Sequence, residues 1–195
     1  REMIILGYRK LSLLLFHIIK SKNSTRFYNV NSVLKHYKIP YFEVHNNINR
    51  EGYIKRIKAT KPDIIFSSNS LYFKKELLSI PKKCCLNIHC SLLPSYGGLW
   101  PVLQAYRSGD KYTGVSVHTM SNKIDVGIVL SQCKVVITAT KSIADLYQEC
   151  HLKGINATLD ALKKIGKNDY TAIENNQKSS YYSFPTKEHW KQFRE

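Results

Sequence analysis

Short apolar runs alternate along this chain with longer stretches that carry one apolar and one polar face, which is the rhythm of an α/β domain with a mainly parallel sheet. Runs of strand length are Met3–Leu6, Tyr41–Val44, Asp63–Ser67, Cys84–His89, Gly114–Met120 and Ile128–Val136. The spacing predicts helices over Leu11–Ser21, Asn29–Tyr37, Arg50–Thr60, Phe73–Ser79, Trp100–Ser108 and Ser142–Ile165. Ser142, with Asp145 three residues on, reads as the N-cap of the last helix, and Gly166 as its stop. Its apolar positions Ile143, Leu146, Cys150, Ile155, Leu159 and Leu162 predict the face that packs on the sheet. Lys167 to Ser180 turns polar and reads as a loop, and the aromatic end, Tyr181 to Phe193, is expected to dock back on the domain.

A length of 195 residues suits one domain with a buried core. Residues 1–166 are expected to form it, with 167–195 as loop and tail. The run at Met3 looks like a strand already under way, so the first strand and residues upstream are expected to be missing. Leu11 to Ile19 is short for a membrane span and reads as a buried helix. Cys84, Cys85, Cys90, Cys133 and Cys150 are odd in number and have no C-x-x-C or zinc spacing, which favours a reducing cytosol over a disulfide framework. Thirty basic against fourteen acidic side chains give a formal charge of +16. That makes nucleic-acid binding the rival hypothesis. The basic residues are scattered (Lys20, Lys35, Lys55, Lys82, Lys163), so nucleic acid is the weaker reading.

In open α/β sheets ligands bind beyond the carboxyl ends of strands. One such end reads Cys85-Leu86-Asn87-Ile88-His89, where alternation puts Asn87 and His89 on one face and Leu86 and Ile88 on the other. The chain then turns through Ser91-Leu92-Leu93-Pro94-Ser95-Tyr96-Gly97-Gly98. A second strand, through His118 to Met120, ends in Ser121-Asn122-Lys123-Ile124-Asp125-Val126-Gly127, a turn with a lone carboxylate. Ser67 to Ser70, including Ser68 and Asn69, are candidates to edge the same crevice. Singly, a strand histidine is more often a satisfied core group and such an aspartate a turn former. A hydrolase triad of Ser91, His89 and Asp125 lacks the G-x-S-x-G turn that exposes a nucleophile, and it leaves Asn87 without a role.

The ordered set carries more: Asn87-X-His89, Ser91-Leu-Leu-Pro94, Tyr96-X-Gly98, Thr113-Gly114-Val115-X-Val117-His118, then Ile124-Asp125-X-Gly127. In this the chain resembles the 10-formyltetrahydrofolate-dependent formyltransferases, most densely over Pro81 to Gln132 and more weakly from Val30 to Ile165. The resemblance implies a Rossmann-like sheet flanked by helices and 10-formyltetrahydrofolate as co-substrate. It also implies a small-molecule amine acceptor, a catalytic trio of Asn87, His89 and Asp125, and no metal. Folate- and substrate-binding candidates are Ser91, Leu92, Leu93, Pro94, Tyr96, Gly97, His118, Ser68, Asn69 and Asn122. Leu71 and Val117 are candidates for the folate pocket, and a homodimer is left open. His118 matches a histidine of the glycinamide ribonucleotide enzymes that the methionyl-tRNA enzymes usually lack. Asn122-Lys123 and Val126 depart from the acidic-Gly turn and following Thr that the family often has.

The chemistry explains the residue types. A neutral amine attacks the formyl carbon, and the oxyanion that forms needs donors already in place. The Asn87 amide and a protonated His89 are expected to donate to it. Asp125 is expected to raise the pKa of His89, orient it, and position a water that relays the proton from the attacking to the leaving nitrogen. For the acceptor, the tail from Ser180 to Thr186 resembles stand-alone proteins linked to amino sugars, which favours a nucleotide-linked amino sugar. Phosphoribosylglycinamide is the alternative. tRNA is disfavoured because about thirty residues follow Ile165, with no RNA-binding barrel.

Overall fold

The strand from Cys84 to His89 lies inside a four-stranded sheet, and the alternation of its side chains assigns the two layers around it. The computed structural model describes residues 29–68 and 71–194. In chain order the elements are α1 (Val30–His36), α2 (Glu51–Ala59), β1 (Ile64–Ser67), α3 (Lys75–Leu78), β2 (Cys84–His89) and β3 (Gly97–Gly98). There follow α4 (Pro101–Arg107), β4 (Tyr112–Thr119), β5 (Val129–Val136), α5 (Ile143–Gly166), β6 (Tyr181–Tyr182) and α6 (Lys187–Arg194). The larger sheet has the order β1-β2-β4-β5. β2 pairs parallel with β1 and antiparallel with β4, which pairs antiparallel with β5. Thus β1, β2 and β5 point one way and β4 alone is reversed, a Rossmann-like α/β sheet of mainly parallel strands flanked by helices.

Leu86 of β2, Val115 and Val117 of β4 and Leu130 of β5 face α5, where Leu146, Cys150, Ala157, Ala161 and Ile165 complete the main core. Burying a large aliphatic side chain of this kind contributes about 1.5–3 kcal/mol. On the other face Cys85 packs with Ile54 of α2, Leu77 of α3 and Phe73. Asn87 and His89 share the Cys85 side, as period-two alternation requires.

The start of α5 follows the sequence. Ser142 Oγ accepts the Asp145 N–H at 3.2 Å, and Asp145 Oδ2 accepts the Ser142 N–H at 3.0 Å, a reciprocal capping box. Its buried face does not follow the sequence. Ile155, Leu159 and Leu162 are exposed, and the inward row is Leu146, Cys150, Gly154, Ala157, Ala161 and Ile165. A Cβ on Gly154 would stand 2.4 Å from Ile88 Cδ1, so close approach of helix to sheet selects small residues and turns the bulky ones outward. Gly166, read as the stop, is the last residue of the helix, and the left-handed residue that follows it is Asn168 at φ 54°.

The described chain divides after Val44 into two compact units. In the first, α1 is capped by Asn29, whose Oδ1 accepts the Ser32 N–H at 2.8 Å. The expected strand Tyr41–Val44 keeps alternating exposure, but it pairs with no described strand and is not one. The strand and helix expected at Met3–Leu6 and Leu11–Ser21 lie outside the described residues. In the second unit, 167–180 contains no helix or strand. β6 then pairs parallel with β3, and Trp190 of α6 meets Trp100 edge to face at 5.8 Å. Among the described residues no helix is long and apolar enough to cross a membrane.

Two substitutions separate packing from capping. Leu146→Ala should lower the unfolding free energy by about 3 kcal/mol through a cavity under the sheet. Ser142→Ala should cost about 1 kcal/mol. Urea denaturation of the two variants checks the order, and a larger loss in Ser142→Ala would contradict it.

Candidate active site

β2 ends at His89, and the reversed strand β4 lies against it in a register that sets Asn87 opposite His118 and His89 opposite Ser116. Directly opposed residues of an antiparallel pair share a face. The side chains of Asn87 and His118 meet, with Nδ2 and Nε2 3.3 Å apart. Past β4 the chain turns back tightly. A Cβ on Gly127 would fall 1.6 Å from the Thr119 carbonyl oxygen, so this position admits only glycine without movement. The turn holds Asp125 in the left-handed region at φ 54° and drives its carboxylate between the histidines. Oδ2 lies 3.6 Å from His89 Nδ1, and Oδ1 lies 3.6 Å from His118 Nε2. The Gly98 N–H donates to Oδ2 at 2.8 Å.

Each imidazole is tied on its other side to a carbonyl. His89 Nε2 is 2.9 Å from the Tyr96 oxygen, and His118 Nδ1 is 2.8 Å from the Thr119 oxygen. A carbonyl only accepts, so those nitrogens carry hydrogens. His118 Nε2 then accepts from the Asn87 amide when neutral and donates to Asp125 when protonated. Asn87 Oδ1 is buried without a hydrogen-bond partner. An orphaned acceptor of this kind costs about 1–3 kcal/mol until a ligand or water satisfies it.

Burial dominates the titration of His89. It lowers the pKa, the Asp125 charge and the Tyr96 carbonyl oppose it in part, and the charge of His118 lowers it further. The net direction is down, the reverse of the rise expected from a nearby carboxylate. The 3.6 Å contact with Asp125 alone would favour an imidazolium, but the cost of taking that charge out of water is greater. For Asp125, burial pushes the pKa up. The hydrogen bond with His118, the charge of His89 and the Gly98 N–H outweigh it and hold the carboxyl below its usual range.

These four side chains border a crevice of about 480 Å³, with Leu71, Phe73 and Met120 as apolar wall and Trp100, Lys123 and Tyr181 around it. Ser68 also lines it. Asn69 lies outside the described residues. Ser91 does not reach it: it is fully buried, its Oγ donates to the Ser95 carbonyl at 2.7 Å, and its own carbonyl accepts from Ser116 Oγ. That removes it as a nucleophile. Leu92 and Leu93 are buried away from the crevice, with the Leu93 N–H donating to Ser116 Oγ at 3.0 Å. Pro94 and Gly97 border a separate cavity against the 124–129 turn. Tyr96 contributes its carbonyl rather than its ring. Asn122 is exposed, accepts from Tyr72 Oη at 3.1 Å, and does not line the crevice. Of the two further folate-pocket candidates, Leu71 lines it, whereas Val117 belongs to the core beneath α5. Sequence reasoning missed Gly98 as a donor to Asp125 and Trp100 and Tyr181 as lining. The paired glycines and the aromatic tail were the signals available.

Residues 19–162 match the formyl transferase family. The chain belongs to that family. The bifunctional polymyxin resistance protein ArnA of Wigglesworthia glossinidia brevipalpis is 35% identical over 187 residues, 92% of this chain and 28% of its own length. The methionyl-tRNA formyltransferase of Borrelia turicatae (strain 91E135) is 33% identical over 135 residues, 68% of this chain and 43% of its own. The chain therefore spans less than half the length of either relative. Among solved structures, it superposes with a TM-score of 0.60 and 16% identity on the formyltransferase PseJ from Anoxybacillus kamchatkensis, covering 79% of each chain. That structure holds UDP-4,6-dideoxy-4-formamido-L-AltNAc and tetrahydrofolate.

The depressed pKa values of this formyltransferase domain give acid sensitivity a definite sign. An unfolded His89 takes up a proton near pH 6.5, whereas the folded one resists to lower pH. Stability therefore falls as pH drops below about 6.5. Asp125 adds a separate stabilisation, present above its unfolded value of about 3.9 and lost as pH falls through its lower folded value. Urea midpoints measured from pH 7.5 to 4.5 should decline in the parent, with the upper part of the decline flattened in His89→Gln. Parallel declines would show that His89 is not the group responsible.

Proposed function

We propose that this chain transfers a formyl group from 10-formyltetrahydrofolate to the amine of a small acceptor, a nucleotide-linked amino sugar. The observation that carries the reading is the convergence of Asn87, His89 and Asp125 on one crevice. A space of about 480 Å³ with one apolar wall suits a flat heteroaromatic donor beside a small polar acceptor. Membership of the family supports formyl transfer. The fold shared with an enzyme that binds tetrahydrofolate and a UDP-linked formamido sugar supports donor and acceptor class. Five free thiols agree with a reducing cytosol as the location.

The residues divide the work as follows. The Asn87 amide donates to the oxyanion that forms when the acceptor nitrogen bonds to the formyl carbon. His89, neutral at rest, takes the proton released by that nitrogen on Nδ1 and passes it to the departing folate nitrogen as the carbon–nitrogen bond breaks. While protonated it adds its positive charge beside the oxyanion. Asp125, ionised throughout, stabilises this transient imidazolium from 3.6 Å beside Nδ1, while the Tyr96 carbonyl behind Nε2 keeps the ring oriented. His118 holds the Asn87 amide and the far carboxylate oxygen.

The test supplies 10-formyltetrahydrofolate with a UDP-linked amino sugar, phosphoribosylglycinamide or methionyl-tRNA and follows tetrahydrofolate release. Turnover is expected with the amino sugar, and His89→Ala and Asp125→Asn should each reduce it by about 10²- to 10⁴-fold. If no amine is consumed while tRNA binds with a steep salt dependence, nucleic-acid binding replaces catalysis as the reading. Turnover of phosphoribosylglycinamide or methionyl-tRNA alone would keep formyl transfer and overturn the acceptor.

A further inference from the structure

The residues that match the family end at 162, yet the loop that holds His89 and Asp125 is bonded along its length to chain beyond that point. Ser95 Oγ donates to the Lys178 carbonyl at 2.8 Å, and the Tyr96 N–H donates to Ser180 Oγ at 2.8 Å. The Gly97 N–H donates to the Ser180 carbonyl at 2.9 Å, and the Leu99 N–H to the Tyr182 carbonyl at 2.8 Å. In return the Ser180 N–H donates to the Pro94 carbonyl at 3.1 Å. The Tyr182 ring stacks on Tyr96 with centroids 5.8 Å apart, and a Cβ on Gly98 would meet the Tyr182 carbonyl oxygen at 2.0 Å.

Between these ties the same loop presents the Tyr96 carbonyl to His89 and the Gly98 N–H to Asp125. It does so in a conformation it would not hold alone. Tyr96 and Trp100 sit at φ 58° and 57°, left-handed values that bulky side chains rarely adopt. Strain of this sort, about 1 kcal/mol or more per residue, persists only where the surroundings over-determine it.

We propose that the segment Lys178–Tyr182 is a positioning element for the reaction: it holds the Tyr96–Gly98 backbone in the shape that orients His89 and Asp125, and Ser180 is its central residue. None of these tail groups reacts. The proposal rests on the reading of His89 and Asp125 as the reacting pair, and its primary test needs no turnover.

The imidazole of His89, assigned by its loss in His89→Gln, is titrated by NMR in the parent, Ser180→Ala and Ser180→Thr. Loosening the Tyr96 carbonyl removes a contribution that favours the imidazolium. The His89 midpoint in Ser180→Ala should therefore move to lower pH, while Ser180→Thr, which keeps the hydroxyl, should match the parent. Ser95→Ala, which cuts the neighbouring tie to Lys178, should move it the same way and serves if Ser180→Ala does not fold. With 10-formyltetrahydrofolate and the UDP-linked amino sugar, kcat should fall about 5- to 10-fold, and KM for both should stay within about twofold. A His89 midpoint unmoved in folded Ser180→Ala or Ser95→Ala overturns the proposal, as does a rise in KM without a fall in kcat. A moved midpoint in a protein that formylates no amine upholds the coupling and defeats the formyl-transfer reading instead.

Discussion

The Asp125 carboxylate, wedged between His89 and His118 and capped by the Gly98 N–H, is the contact on which the rest of this structure depends. A buried carboxylate costs several kcal/mol unless its surroundings compensate. Three separate pieces of chain supply that compensation: the end of β2, the reversed strand β4, and the glycine pair of β3. Each is held in place by something that looks unrelated to chemistry. The core beneath α5 anchors β2 and β4, the Gly127 turn returns the chain, and β6 clamps the glycines. Charge balance at one oxygen pair therefore ties together both faces of the sheet and the C-terminal tail.

Competition between burial and charge gives the site its resting state. Proximity of a carboxylate alone would make His89 an imidazolium, but desolvation is the larger effect and the ring is held neutral. That is a useful state for a group asked to accept a proton. The charge it acquires during reaction is the one for which Asp125 is already in place, so the stabilisation grows as the reaction proceeds rather than being spent on the resting protein. The +16 formal charge bears little on this, because Asn87, His89 and His118 are buried and the Asp125 side chain between them is nearly so.

α5 and the Ser91–Pro94 loop show how similar patterns divide once packed. Both carry apolar residues at positions that suggest contact, with the core in one case and with a ligand in the other. In α5 the contact distance to β2 is so short that Gly154, Ala157 and Ala161 take the inner row and larger residues are displaced. In the loop, Ser116 and Gln132 satisfy the backbone groups of Ser91 and Leu93, and the Ser91 hydroxyl donates to the Ser95 carbonyl, so both residues belong to the packed interior rather than to the crevice. None of the loop's four residues lines the crevice, and their side chains are structural.

Local pattern determined much of this protein by itself. The α/β class, the limits of β2, the cap of α5 and the common face of Asn87 and His89 all follow from period-two and helical spacing, which depend only on near neighbours along the chain. Asp125 was named by the ordered motif set and the family resemblance it carries, since a single carboxylate in a turn reads as a turn former. Tertiary structure alone decided the rest. That the reversed strand would lie beside β2 and bring His118 against Asn87 depended on sheet order. The downward pKa of His89 depended on desolvation by residues distant in sequence. The two-residue ladder between Gly97–Gly98 and Tyr181–Tyr182 has no periodic signature, because two residues are too few to show one and their partner lies more than eighty positions away. Register, burial and close approach are properties of pairs of segments, and a linear pattern records only one member of each pair.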